Sequence, residues 1–171
     1  MRISELLFVT FLAAGCTAAG SPRPASEAVR IGTYDNRAIA IAHTRSMLNP
    51  VAGKLRERDA ARSAGDERRV TELEAWGAAR QRQVHRQGFA RVPVDDLLAD
   101  VADGVAGVAR RERLDAIAWS CDWAAPGVER VDVTMDLVQL FEPSAETIRI
   151  VAEVLRRPPL SLDEIEAGHE H

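Results

Sequence analysis

The sequence predicts an α+β fold, with a small antiparallel sheet built from strands far apart in the chain. Three observations point there. Val29 to Asp35 reads as a short strand at the start of the mature region, and Leu114 to Cys121 and Glu129 to Val133 carry further strand pattern downstream. Between these ends lies a long stretch rich in Arg, Glu, Ala and Gln with helical spacing. Distant strands must meet in space to pair, so the middle leaves and returns as a helical, hairpin-like insertion, with helices following at the C-terminus. The 171 residues suffice for one domain with its own core. Aromatic residues make up only 5% of the chain, so aliphatic residues and alanine must fill most of that core.

The N-terminus reads as an export signal. Arg2 and the amino terminus give a basic start, and Leu6 to Ala14 is an apolar run too short to span a bilayer. Leu12-Ala13-Ala14-Gly15-Cys16 resembles the lipobox of bacterial lipoproteins, which implies lipidation of Cys16 and removal of residues 1–15. The usual leucine three places before the cysteine is replaced by Ala13, and ordinary cleavage after Ala18-Ala19-Gly20 is the alternative. Either route takes the chain out of the cytoplasm. Residues 16–28 are small, polar and proline-containing, the composition of a flexible tether. With Cys16 acylated, Cys121 has no partner for an internal disulfide. As a strand residue it shares a face with Ile117 and Trp119 and reads as a small buried hydrophobe.

Asn49-Pro50 marks a helix start, with Asn49 as cap and Pro50 in the first turn. Helical pattern runs to about Gln87, with weak points at Gly65-Asp66 and Gly77. Gly88 to Pro93 is a turn. From Val94 to Arg113 the residues Val94, Leu97, Leu98, Val101, Val105 and Val108 make one apolar stripe on a second helix. A straight helix over 50–87 would be roughly 57 Å long and its return over 95–113 about 28 Å. The legs do not match, so the first must fold back near Gly65 or Gly77 into a compact helical unit. Thr134 is placed to cap a short helix, Ser144 to cap another, and Ser161 to Glu164 has capping-box spacing. The domain is expected over 29–157, its helical region over 50–113 and a tail over 158–171.

Charge is unevenly distributed. Residues 37–91 hold twelve basic and six acidic side chains, and residues 92–171 hold seven and seventeen, beneath a net charge of −4. The positive half could attract acidic or unfolded partners, or the two halves could neutralise each other within one fold. Export and the acidic balance both disfavour nucleic acid.

No glycine phosphate loop, Gly-x-Ser-x-Gly, His-Glu-x-x-His or Cys-x-x-Cys is present, and no cofactor or metal is implied. His43 stands alone. His85 lies among Gln81, Gln83 and Gln87, a polar cluster that either lines a cleft or faces solvent on a helix. His169-Glu170-His171 is too short to complete a metal site. Trp76, Trp119 and Trp123 could form a stacking platform, although Trp119 is better placed in the core.

Three segments together resemble the OmpH/Skp family of periplasmic chaperones over residues 29–142. They are Arg30 to Asp35, Leu114 to Trp119, and Val131-Asp132-Val133-Thr134 leading into Asp136-Leu137-Val138. The resemblance implies a homotrimer whose small sheets form a body and whose helical arms enclose unfolded outer-membrane proteins without ATP. In a Gram-negative source, analogy with lipoprotein sorting would take Thr17 after the cysteine, not Asp, to direct the protein to the outer membrane, facing the periplasm. This chain differs from the family in being acidic, in its lipobox and in a short hairpin interrupted by Pro93. The expected function is therefore a non-enzymatic holdase. The alternatives are an anchored scaffold or adaptor for one folded partner, and a small-ligand binder or enzyme using the His85 region.

Overall fold

The computed structural model describes residues 28–167. The signal and lipidation readings at residues 1–16 and the terminal His169-Glu170-His171 lie outside them.

Strand β1 (Arg30–Thr33) runs straight into helix α1 (Asn36–Thr44). Asp35 sits in extended conformation and accepts the Arg37 N–H, which caps the helix. Almost every residue of α1 is buried, from Asn36, Ala38 and Ile39 to Ala42 and His43. It is the central helix of the core, and a helix covered on all sides loses the polar stripe that would reveal it in sequence.

Helices α2 (Val51–Ser63) and α3 (Glu67–Phe89) follow as an antiparallel pair. The fold-back comes at Gly65, whose φ of 72° lies in the left-handed region that glycine adopts without steric cost. Gly77 does not interrupt α3. The cap of α2 is Pro50 and not Asn49, one residue later than expected, although Asn49 still accepts the Val51 N–H just ahead of the helix; Asp66 caps α3 by accepting the Arg69 N–H. The long 50–87 leg thus divides into two helices of about 20 and 35 Å.

The second predicted helix is divided as well. It consists of α4 (Asp95–Leu98), a 3₁₀ turn at Ala99–Val101 and α5 (Ala102–Arg111). Its predicted stripe holds: Val94, Leu97 and Val108 are buried, and Leu98, Val101 and Val105 pack against the same core. The 3₁₀ turn faces α1, where Asp100 Oδ2 lies 3.1 Å from His43 Nε2.

Strands β2 (Ala116–Ala118) and β3 (Glu129–Asp132) complete a three-stranded sheet of order β2-β1-β3. The α+β class stands, but the sheet is parallel and not antiparallel. β1 pairs parallel with β2, Gly32 opposite Ile117, and parallel with β3, Gly32 opposite Val131. The short connection between β2 and β3 resembles a hairpin loop, yet β1 lies between the two strands. Residues 119–128 must therefore return the full strand length to start β3 in the same direction. Arg130 Nη1 donates to the Cys121 carbonyl at 3.3 Å and holds this connection against the sheet. Gly32 is needed at the centre, because a Cβ there would stand 2.7 Å from Leu114 Cδ1 and 3.2 Å from Val133 Cγ2.

Helices α6 (Thr134–Gln139), α7 (Ala145–Leu155) and α8 (Leu162–Ala167) close the chain. Ser144 caps α7 and the Ser161–Glu164 box caps α8, as their spacing predicts. Thr134 acts differently: its backbone N–H donates to Asp132 Oδ1, while its hydroxyl accepts the Asp35 N–H and ties α6 to the start of α1. Beyond Pro158-Pro159 the chain returns to α3. Leu160 N–H donates to the Phe89 carbonyl at 2.8 Å, and Ile165 is buried.

The core lies on one face of the sheet. Ile117, Trp119 and Val131 pack into it with Val133, α1, α4, α5 and α6. Residues of opposite alternation, Ile31, Thr33, Ala116 and Arg130, point to the other face, from which Arg130 reaches the Cys121 carbonyl.

Candidate functional site

Two of the cavities among the described residues bear on function. One lies along the α2–α3 arm. Val70 and Leu73 are buried between its helices, while no residue of α2 is buried. Its charges pair among themselves. Arg69 bonds Glu57 and Glu72, Arg62 reaches Glu74 at 2.9 Å, and Lys54 reaches Glu57 at 3.0 Å. The Arg69 and Lys54 bonds hold the Glu57 carboxyl below the usual carboxylate range. Residues 50–77, which take in α2 and the first half of α3, carry six basic and six acidic side chains and are neutral, while the second half of α3 adds Arg80, Arg82 and Arg86. The positive excess belongs to α1 and the second half of α3. It is partly met by the acidic half, through Arg45–Glu146 at 3.1 Å and Arg80–Asp96 at 3.6 Å.

A groove of about 530 Å³ runs along the arm, lined in part by Val51, Leu55, Leu73, Trp76 and Val84. Leu55 is 46% exposed, and at the base of the arm Met47 is 99% exposed.

The second place is the C-terminal edge of the sheet, where all three parallel strands end. A cavity of about 550 Å³ opens there. Its lining includes Thr33 and Asp35 after β1, Trp119 to Asp122 after β2, and Arg130, Asp132 and Thr134 on β3 and α6. Arg91, Leu155 and Pro159 close it from the sides. The chain leaves β1 for β2 on one flank and then crosses to β3 on the other. This edge is thus the switch point at which open α/β sheets place their ligands.

Asp35 supports this edge from below. It receives the Arg37 guanidinium at 2.7 Å, and Arg37 is buried and also donates to the Arg157 carbonyl. Burial pushes the Asp35 carboxyl up, but the Arg37 side-chain and backbone bonds, with the charges of Arg37 and Arg91, hold it below its ordinary value.

The residues singled out in sequence are scattered. Gln81 and His85 line the arm groove, whereas Gln83 and Gln87 bond to Asp96 on another side of α3. The polar cluster therefore does not converge on one cleft. His85 meets Phe89 edge-on, with ring centroids 5.8 Å apart. His43 is buried inside the core, edge-on to Phe141. The three tryptophans do not form one platform. Trp76 lines the arm groove, Trp119 packs on the core under the Arg91 guanidinium, and Trp123 is 79% exposed on the 119–128 connection. Cys121 is half-buried beside the edge cavity and not sealed in the core, because β2 stops at Ala118 and frees it from the strand alternation.

Among the described residues no group of three or more His, Cys, Asp or Glu is placed to hold a metal. None of the described helices is long and apolar enough to cross a membrane. The edge cavity escaped the sequence reading because its residues come from five separate segments. Only the strand ends themselves were a signal for it. Comparison with protein-family models, with curated proteins and with solved structures finds no match to this chain.

Proposed function

We propose that this protein is an exported, lipid-anchored holding protein of OmpH/Skp-like design, which shields unfolded envelope or outer-membrane proteins without ATP. The observation that carries the reading is the arm. A helical hairpin leaves the body, leaves no residue of α2 fully buried, and presents a groove in which Val51, exposed Leu55, Leu73, Trp76 and Val84 lie among polar side chains. Such a surface suits weak, sequence-tolerant contacts with apolar segments of a non-native chain. The balanced charge of residues 50–77 lets that part of the arm meet clients of either sign.

A small oligomer is part of this reading. Three short strands make a marginal sheet, and β2 and β3 each keep an edge with no strand partner among the described residues. Pairing or packing with further copies would protect those edges. The test is refolding of an outer-membrane protein from denaturant with and without the full chain. Light scattering should fall as the chain is added, and aggregation unchanged at molar excess would sink the proposal.

A second reading, an anchored adaptor for one folded partner, is favoured by the shortness of the arm, about 20 Å along α2. A monomeric mass together with one stoichiometric partner would select it. The anchor has a separate check: Cys16→Ser should release the protein from membranes, and continued retention would refute acylation as the anchor.

A further inference from the structure

Arg91 and Arg130, both at the sheet-edge cavity, make no ion pair with any described residue. Arg91 donates to Ser120 Oγ at a long 3.4 Å and lies over the Trp119 ring at 5.9 Å. Arg130 reaches only the Cys121 carbonyl, at 3.3 Å. The cavity carboxylates are only partly engaged. Asp35 is committed to Arg37. Asp122 accepts the Ser120 hydroxyl on Oδ1 at 2.7 Å, and Asp132 accepts the Thr134 N–H on Oδ1 at 2.9 Å. The Oδ2 atoms of Asp122 and Asp132 accept no bond from the described residues.

The cavity therefore offers two guanidiniums with no carboxylate at ion-pair distance, although the charge of Arg91 also reaches Asp35, and two carboxylates with an oxygen each to spare. A plain anion would meet the two aspartates, and a plain cation would meet the two arginines. A ligand bearing both signs satisfies both sets, and guanidinium forks match a carboxylate well. Trp119, Leu155 and Pro159 add an apolar wall. The volume of about 550 Å³ falls within the range of small-molecule sites, and the position is the sheet's switch point. We propose that this cavity binds a small zwitterion, a free amino acid or short peptide, with its carboxylate on Arg91 and Arg130 and its ammonium on Asp122 and Asp132. The site is separate from the arm and stands whether or not the arm holds unfolded chains.

The test is titration of the full chain with dialanine, followed by the backbone amide signals of Ser120, Asp122 and Thr134. Saturable shifts are expected. N-acetyl-dialanine, which lacks the ammonium, and dialanine amide, which lacks the carboxylate, should each bind about tenfold more weakly or worse. Arg91→Ala and Asp132→Asn should weaken dialanine to a similar degree, and Asn at 132 still accepts the Thr134 N–H. Thermal unfolding of both variants checks that the fold is kept. Shifts that do not saturate would overturn the proposal. So would equal binding of either blocked peptide, which would mark a site for a single charge, or full binding by both folded variants.

Discussion

Asp35 is a half-buried carboxylate held low by an ion pair, so its protonation should weaken the fold in acid. Its folded pKa lies below the unfolded value, so between the two the unfolded chain binds more protons. The stability it contributes is complete above the unfolded pKa, about 3.9, and is lost as the pH falls through the folded value. Asp35→Asn should therefore flatten the acid limb of stability against pH, measured by urea unfolding from about pH 5 downward. At neutral pH it should cost about 3 kcal/mol, because buried Arg37 loses its carboxylate. An unchanged acid limb would show that other carboxylates set it.

His43 separates packing from polar contact. It is 1% exposed and stacks edge-on with Phe141, whereas its partner Asp100 has a side chain 48% exposed. His43→Ala should cost about 3 kcal/mol through the cavity it leaves. Asp100→Asn should stay within about 0.5 kcal/mol. Denaturant midpoints of the two variants read the difference, and equal losses would place the weight on the polar contact instead.

At the scale of elements, the two arm glycines are opposites. Gly65 has φ 72° at the fold-back, and Gly77 sits mid-helix with open space where a Cβ would go. Gly65→Ala should destabilise by about 1 kcal/mol, and Gly77→Ala should stabilise by about 0.5–1 kcal/mol. Thermal unfolding followed by helical circular dichroism decides the signs. Sequence alone marked both glycines as weak points, because composition cannot tell a backbone that reverses from one that continues. The same limit explains α1. The run Ala38-Ile39-Ala40-Ile41-Ala42 has no polar face, so nothing in its pattern announces a helix, yet it is the centre of the core. Caps were far more legible. Ser144 and Ser161 do what their spacing predicts, since a cap depends on atoms within three residues.

At the scale of the whole molecule, the exposed arm and the two strand edges left without a partner among the described residues belong to one expectation. Sedimentation of the full chain should give a mass near three times the 18.7 kDa protomer. A monomer at micromolar concentration would leave the edges to be protected by a single chain and would favour the adaptor reading. The charge asymmetry acts at this scale too. Residues 50–77 cancel their own charges, and ion pairs such as Arg45–Glu146 and Arg80–Asp96 bring part of the basic excess against the acidic half. Long-range steering by a positive arm is thereby reduced.

The sequence by itself determined the α+β class, the chain-distant strands, the apolar stripe from Val94 to Val108, the fold-back of the 50–87 leg and the caps of α7 and α8. Each depends on periodicity or on atoms a few residues apart. Only the tertiary structure decided that β1 lies between β2 and β3, that the sheet is parallel, and that Arg91, Trp119, Asp122, Arg130 and Asp132 share one cavity. Strand order and direction depend on how an excursion of about eighty residues packs on its return. No local pattern encodes the edge at which it arrives.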